Sequence, residues 1–191
     1  MLYWIAKNIS KLFYLSLARV RISGRRLVPL KGGILLCSNH ISYFDPPLVG
    51  SLLDRPCWYM AKQELFGNRI LRYFLEAIHA FPVSRGRPDR TALRRGLRLL
   101  SEGKALVVFP EGTRKAEYRS TVQPGILFLI YRSRVPVVPV KVGDTDRFFE
   151  GNPFRIIYGK PVDFSEIIER ETRADAYVKI SAGLRNAMAA L

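Results

Sequence analysis

The chain has 191 residues, 48% of them hydrophobic and 25% charged, which excludes a disordered protein and suits one domain around one core. Its 31 lysines and arginines outnumber its 16 acidic residues, so the net charge is +15 and nucleic acid, an anionic membrane or a phosphorylated small molecule could bind. The two cysteines, Cys37 and Cys57, are too few for a disulfide framework, which favours a reducing compartment.

The N-terminus predicts an amphipathic helix, which we assign to residues 1–22. Apolar side chains recur on one face at helical spacing: Ile5, Ile9, Leu12, Phe13, Leu17 and Val20. The uncharged run after Lys11 ends at Ala18, far short of the ~20 residues that a membrane-spanning helix needs. Aromatic and basic residues together are typical of an interfacial membrane anchor, and a helix packed on the protein's own core is the alternative. A cleaved signal peptide is a weaker alternative.

The remainder, residues 23–191, is predicted to be a single domain in which apolar strands alternate with helices. The expected strands cover residues 20–23, 33–38, 57–61, 79–83, 105–109, 135–142 and 154–158. The expected helices cover residues 45–54, 69–77, 88–102, 126–131 and 174–191. Because several strands are apolar throughout, the pattern predicts an α/β fold with a mostly parallel central sheet covered by helices on both faces.

Polar loops follow three of the apolar strands. They read SNHISYFDP from residue 38, FPVSRGR from residue 81 and FPEGTRK from residue 109. In open α/β sheets, ligands collect at the carboxyl ends of the strands. All three loops could therefore line one crevice.

The first loop contains His40 and Asp45, a candidate catalytic pair. A spacing of five residues does not stack two side chains on a helix, but a turn between a strand and a helix can bring them together. Asp45 would then accept a hydrogen bond from one imidazole nitrogen and leave the other free as a general base. The alternative is structural: Asp45 before two prolines is also a good helix N-cap, and His40 would then be an ordinary loop residue. His79, the only other histidine, is expected to be a packing residue.

The other loops and one strand end offer candidate substrate-binding residues. These are Lys62, Arg85, Glu111, Gly112, Thr113 and Arg114. Arg114 presents a planar fork that suits phosphate, and Gly112 allows the backbone to turn or to approach a ligand closely. A surface turn with a solvated arginine is the alternative. One base and three cations at strand ends favour a site for a phosphorylated substrate, and no residue cluster predicts a metal site.

With these motifs, the chain resembles the glycerolipid acyltransferases, and most of all the 1-acyl-sn-glycerol-3-phosphate acyltransferases, over roughly residues 20–165. NHISYFD matches the first family motif, FPVSR the second, FPEGTR the third and VPVVPV, from Val135, the fourth. The stretch AKQEL, which contains Lys62, also looks like one that is common in the family. Four motifs in the family's order make this a specific resemblance.

The resemblance implies acyl transfer from acyl-CoA or acyl-carrier protein to the sn-2 hydroxyl of a lysophospholipid, which gives phosphatidic acid in phospholipid biosynthesis without a cofactor or a metal. His40 would be the general base, oriented by Asp45. The glycerol phosphate would be bound by residues 111–114, with help from Arg85. Attack on the thioester creates an oxyanion, for which backbone N–H groups at the start of the helix after Asp45 are one source of donors. Association with anionic lipids at the cytoplasmic face of a membrane is expected.

Two departures from the family pattern leave the acceptor open. Lys115 follows the third motif where serine is common, and Gln123 stands where lysine is frequent before a glycine. Another lysolipid, such as a lyso-aminolipid, is therefore the alternative acceptor. A non-enzymatic basic module for membrane or nucleic acid is the rival reading. However, GRPDRTALRRGLRLL lacks the aromatic residues that base stacking requires, so nucleic acid is not an expected partner.

Overall fold

A computed structural model describes residues 1–84, 89–112 and 121–191, which form one sheet with helices packed around it. The strands are β1 (Arg21–Ser23), β2 (Ile34–Ser38), β3 (Cys57–Lys62), β4 (Ala80–Val83), β5 (Ala105–Val108), β6 (Val137–Gly143) and β7 (Arg155–Tyr158). The α-helices are α1 (Leu2–Ser16), α2 (Asp45–Ser51), α3 (Arg69–Ala77), α4 (Arg90–Ser101), α5 (Pro124–Ser133), α6 (Ser165–Arg170) and α7 (Arg173–Ala189).

The sheet is mostly parallel, as predicted. Its strand order is β1-β7-β6-β2-β5-β3-β4. The five strands from β6 to β4 are parallel to one another, whereas β7 is antiparallel to β6 and β1 is parallel to β7. The carboxyl ends of β2, β3, β4 and β5 therefore lie at one edge of the sheet, where a ligand site is expected in this class of fold.

Helices cover both faces of the sheet, which confirms the predicted architecture. Successive side chains of a strand point to opposite faces, so neighbouring residues of β2 enter different cores. Leu36 packs with Leu48 of α2 on one face. Leu35 packs with Leu100 of α4 and Leu129 of α5 on the other. Each core is a continuous apolar layer that holds the loops at the strand ends in fixed positions.

The N-terminal helix α1 is apolar on two sides. Tyr3 and Tyr14 are buried against the protein, and each hydroxyl has a partner: Tyr3 Oη accepts from the backbone N–H of Cys57 at 2.9 Å, and Tyr14 Oη donates to the carbonyl of Phe44 at 2.8 Å. The predicted stripe of Ile5, Ile9 and Leu12 instead faces outward, with 46, 64 and 68% of these side chains exposed. Core packing therefore accounts for one side of the helix only.

None of the helices in residues 1–84, 89–112 and 121–191 is long and apolar enough to cross a membrane.

His79 fixes the start of α1 to the sheet, as the packing role expected for it requires. Its ring stacks between Tyr3, at 4.1 Å between ring centroids, and Trp58, at 4.4 Å. The residue lies just before β4 with a positive φ of 67°, a conformation that histidine and asparagine tolerate better than most residues. Burial lowers the pKa of His79 below its usual value, so the neutral ring fits this stack better than the charged one.

Two helices differ at one end from the ranges that the sequence predicts. The helix expected to reach residue 54 ends at Ser51, because Arg55 turns inward and donates to the carbonyls of Pro29, Gly32 and Gly103. The helix expected from residue 88 begins at Arg90. Asp89 caps it by accepting from the N–H of Ala92 at 2.9 Å, and Pro88 lies outside the described residues.

Helix α6 was not predicted at all, since its six residues are too few to show a period.

The free energy of unfolding is expected to fall as the pH is lowered through roughly 6.5, because the unfolded chain binds a proton on His79 that the folded chain resists. In the His79→Asn variant, which keeps a residue that tolerates the positive φ, this slope should be shallower. Urea unfolding over roughly pH 5 to pH 8 measures both slopes. Parallel curves for the two proteins would show that the stack does not depend on the charge of His79.

Candidate active site

The residues that the sequence singled out collect at the carboxyl edge of the sheet, as far as the structure describes them. His40 follows β2, Lys62 is the last residue of β3, and Glu111 and Gly112 follow β5. These strands are parallel neighbours in the order β2-β5-β3. Arg85, Thr113 and Arg114 lie outside the described residues, so their part in the site stays a prediction.

His40 and Asp45 form a buried hydrogen bond. The distance from Nδ1 of His40 to Oδ2 of Asp45 is 2.9 Å, and only 7% of His40 and none of Asp45 is exposed. The turn between β2 and α2 brings them together, because the N–H groups of Ile41 and Ser42 also donate to Oδ2, each at 2.7 Å. Asp45 therefore folds the loop back around its own carboxylate.

This contact determines which imidazole nitrogen is available for chemistry. A carboxylate accepts hydrogen bonds, so the proton of a neutral His40 is held on Nδ1. The lone pair then lies on Nε2, the nitrogen that does not face Asp45. One face of the ring stacks on Phe109 at 4.2 Å between centroids, which fixes its plane. The protein therefore sets the tautomer and the orientation of this ring, and Nε2 is the nitrogen that can accept a proton.

The proposal that Asp45 caps α2 is wrong. Asp45 is the first helical residue, and its side chain reaches backward to the loop instead of forward to the first turn of the helix. The carboxylate is wholly occupied by the loop, the imidazole and one hydroxyl from a distant part of the chain.

That hydroxyl belongs to Thr145, a residue that the sequence did not point to. Its Oγ1 donates to Oδ1 of Asp45 at 2.6 Å, and Thr145 is 1% exposed. Asn39 adds a second link to the same region, since its side-chain amide exchanges two hydrogen bonds with the backbone of Val142, at 2.8 and 3.0 Å. Both contacts join residues about a hundred positions apart, and no local pattern in the sequence indicates them.

The start of α2 does not supply the expected oxyanion donors. Pro46 and Pro47 have no N–H. The N–H of Asp45 donates to the carbonyl of Ser42, and that of Leu48 donates to Phe44. The first turn of this helix therefore has no free backbone donor to offer a ligand.

The turn after β5 has the conformation that its glycine suggests. Gly112 has a φ of 66°, and a Cβ there would lie 3.1 Å from Cγ of Gln123, so both the backbone and the close packing favour glycine. Glu111 beside it is buried, and its carbonyl accepts from the side chain of Gln123. Gln123 thus supports the turn.

Lys62 lies at the edge of the site with its ammonium 3.2 Å from the carboxylate of Glu64. About half of its side chain is exposed, so it remains accessible to an anionic ligand. A phosphate would have to compete with Glu64 for this cation. The distance is that of an ordinary surface ion pair, which contributes little to stability.

Comparison with known proteins points to one enzyme class. The model of the acyltransferase family matches residues 19–143, about two thirds of the chain. The 1-acyl-sn-glycerol-3-phosphate acyltransferase of Bacillus subtilis is 28% identical over 180 residues, which cover 91% of this chain and 90% of that protein. The lyso-ornithine lipid O-acyltransferase of Pseudomonas aeruginosa is 28% identical over 142 residues, 73% of this chain and 52% of that protein.

One solved structure has the same fold. It is the 1-acyl-sn-glycerophosphate acyltransferase of Thermotoga maritima, which superposes with a TM-score of 0.68 at 21% sequence identity. The superposition covers 96% of this chain and 78% of the other.

Thr145→Val is expected to lower the free energy of unfolding by about 1.5–3 kcal/mol, because it removes a buried hydrogen bond to a charged group while keeping the side-chain shape. Thr145→Ser keeps the hydroxyl and should retain most of that stability. Thr91→Val on the exposed side of α4 is the matched control. Urea unfolding measures all three. Equal losses at positions 145 and 91 would show that the bond to Asp45 contributes nothing.

Proposed function

Because the chain belongs to the acyltransferase family, we propose that it transfers an acyl group from a thioester to the free sn-2 hydroxyl of 1-acyl-sn-glycerol 3-phosphate, giving phosphatidic acid. The donor is acyl-CoA or acyl-carrier protein. The observation that carries the proposal is the buried pair of His40 and Asp45 at the carboxyl edge of the sheet. The names of several curated relatives supply the acceptor.

In this mechanism His40 acts as a general base through Nε2. It removes the proton from the acceptor hydroxyl as the oxygen attacks the thioester carbonyl. The tetrahedral intermediate then collapses, the carbon–sulfur bond breaks, and the proton passes from the imidazolium to the departing thiolate. Asp45 stabilises the imidazolium and holds the ring in place. Because the acceptor oxygen attacks the thioester directly, this mechanism needs no covalent acyl-enzyme.

The acceptor phosphate is assigned to the basic strand-end residues. Arg114 and Arg85 offer planar forks for phosphate oxygens, and Lys62 a mobile ammonium. Glu111, Gly112 and Thr113 complete this part of the proposed site. What supports the assignment is the position of these residues in the family's motifs and the net charge of +15.

A second acceptor is favoured by one relative. The Pseudomonas aeruginosa protein that matches this chain is named for acyl transfer to lyso-ornithine lipid, which has no phosphate. The departures from the family pattern keep this alternative open, since Lys115 follows Arg114 in the sequence and Gln123 donates to the carbonyl of Glu111.

We also propose that the protein works as a peripheral enzyme at the cytoplasmic face of a membrane. The outward stripe of Ile5, Ile9 and Leu12 on α1 is the feature that supports this, together with the net charge of +15. A lysolipid acceptor and anionic lipids would then reach the enzyme from the same surface.

His40→Ala is expected to lower acceptor-dependent thiol release from acyl-CoA by roughly 10²–10⁴-fold, the usual contribution of a positioned general base. Asp45→Asn should also be severely impaired, since an amide can hold the imidazole in the wrong tautomer. Thiol release is measured in detergent micelles with and without lysophosphatidic acid.

The control for this experiment is His79→Asn, which changes the other histidine, far from the carboxyl edge. It should retain activity in micelles. Acceptor-dependent thiol release of equal rate in wild type and His40→Ala would contradict the assignment of the base. If no donor and no lysolipid supports activity in the wild type, the proposed reaction is wrong.

The ratio of kcat/KM for lysophosphatidic acid over lyso-ornithine lipid tests the acceptor. We expect a ratio above roughly 10, because an acceptor without phosphate would leave the groups that bind the phosphate unpaired. Arg114→Gln should reduce this ratio by raising KM for lysophosphatidic acid. A ratio below 1 in the wild type, unchanged by Arg114→Gln, would favour the lyso-ornithine acceptor instead.

A further inference from the structure

Helix α3 presents its apolar side to the solvent. Ile70, Tyr73 and Phe74 share one side of the helix, as the spacing predicts, and 83, 72 and 43% of their surfaces are exposed. None of the nine residues of α3 is buried. An amphipathic helix in a globular protein normally turns such a stripe toward the core. In α3 it faces away from the protein.

Local interactions, and not the stripe, hold α3 together. The side chain of Asn68 caps the helix by accepting from the N–H groups of Ile70 and Leu71, at 2.9 and 3.0 Å. Arg72 and Glu76 form an ion pair one turn apart, at 3.1 Å. The helix therefore does not need these exposed apolar side chains for its own stability. An exposed apolar patch of this kind indicates a surface that binds something else.

Helices α1 and α3 lie on the same side of the sheet. The connections β2–α2–β3 and β3–α3–β4 step across the sheet in the same direction, so right-handed crossovers place α2 and α3 on one face. α1 packs on that face, in the core that contains α2. Its Tyr3 stacks on His79, two residues beyond the end of α3. The exposed apolar stripes of the two helices thus belong to one side of the molecule.

We propose that α3 is a second membrane-binding helix, which inserts Ile70, Tyr73 and Phe74 into the interface of an anionic bilayer beside α1. The inference rests on the proposed function in one respect, since a lipid acceptor brings the enzyme to a bilayer. α3 follows β3 through a short 3₁₀ turn, Gln63–Phe66, so it begins next to the carboxyl edge that carries His40. Contact through two helices would fix the orientation of that edge relative to the membrane surface. Contact through one helix would allow the protein to rotate about the axis of that helix.

The charges select a bilayer over a second copy of the chain. Arg69 lies beside the stripe of α3, Arg72 is paired with Glu76 away from the stripe, and the whole chain carries +15. Two such surfaces brought face to face repel each other, while anionic lipid attracts them. Tyrosine and phenylalanine beside basic residues are also the side chains that interfacial helices use.

The test replaces the three stripe residues together, as Ile70→Gln, Tyr73→Gln and Phe74→Gln. All three are exposed and glutamine is a good helix former, so the fold should persist, which the unfolding midpoint checks. Binding is measured by co-sedimentation with vesicles of 30% phosphatidylglycerol and 70% phosphatidylcholine. The matched control is Val178→Gln on α7, an exposed apolar residue on the opposite face of the sheet.

The triple variant is expected to bind these vesicles at least tenfold more weakly than wild type, and Val178→Gln to bind like wild type. Thiol release with lysophosphatidic acid in detergent micelles should be unchanged in both, which separates this inference from the proposed reaction. If micellar activity is missing from the wild type, the reaction fails and the vesicle result still decides the role of α3.

Three outcomes would overturn the inference. One is unchanged vesicle binding in the α3 variant when Ile5→Gln, Ile9→Gln and Leu12→Gln on α1 abolish it. Another is a wild type that does not bind the vesicles at all. The third is a wild-type dimer, seen by light scattering, that the α3 variant converts to a monomer with unchanged vesicle binding, because the stripe would then be a subunit interface.

Discussion

The buried carboxylate of Asp45 is the constraint on which the candidate site depends. A charge fully removed from water is costly unless hydrogen bonds compensate for it, and four donors surround this one. Two are backbone N–H groups of the same loop, one is the imidazole of His40, and one is the hydroxyl of Thr145. The need to satisfy one carboxylate therefore shapes the loop, orients the histidine and draws the segment after β6 onto the segment after β2.

The same loop is tied to the sheet by Asn39, which bonds to the backbone of Val142 on both its donor and its acceptor side. Thr145 lies three residues beyond Val142, so two contacts connect the histidine loop with one short stretch of chain. The imidazole of His40 therefore has little freedom to rotate. Positioning of this kind matters for the proposed reaction, in which the acceptor oxygen would attack the thioester directly.

How far the sequence could predict this structure depended on the range of each interaction. The contact of His40 with Asp45 was predictable because both residues lie in one short loop. The contact with Thr145 was not, since a hundred residues intervene without any pattern. The end of α2 was mispredicted for the same reason, because Arg55 donates to three distant carbonyls. The parallel sheet was predictable because apolar strands between helices allow few other arrangements.

Periodicity predicted the stripe of α1 but not the side that turns inward. The buried side carries Tyr3 and Tyr14, whose hydroxyls find partners, and the aliphatic side is left exposed, although burial of one such side chain is worth about 1.5–3 kcal/mol. A helix selected only to cover the core would be expected to turn the other way. Tyr14, on the buried side of α1, donates to the carbonyl of Phe44, the residue before Asp45. One hydrogen bond and one peptide bond therefore join α1 to Asp45, and a second hydrogen bond joins Asp45 to the candidate base His40. A bilayer that takes up the outer side of α1 would therefore hold the catalytic loop at a fixed distance from its lipid.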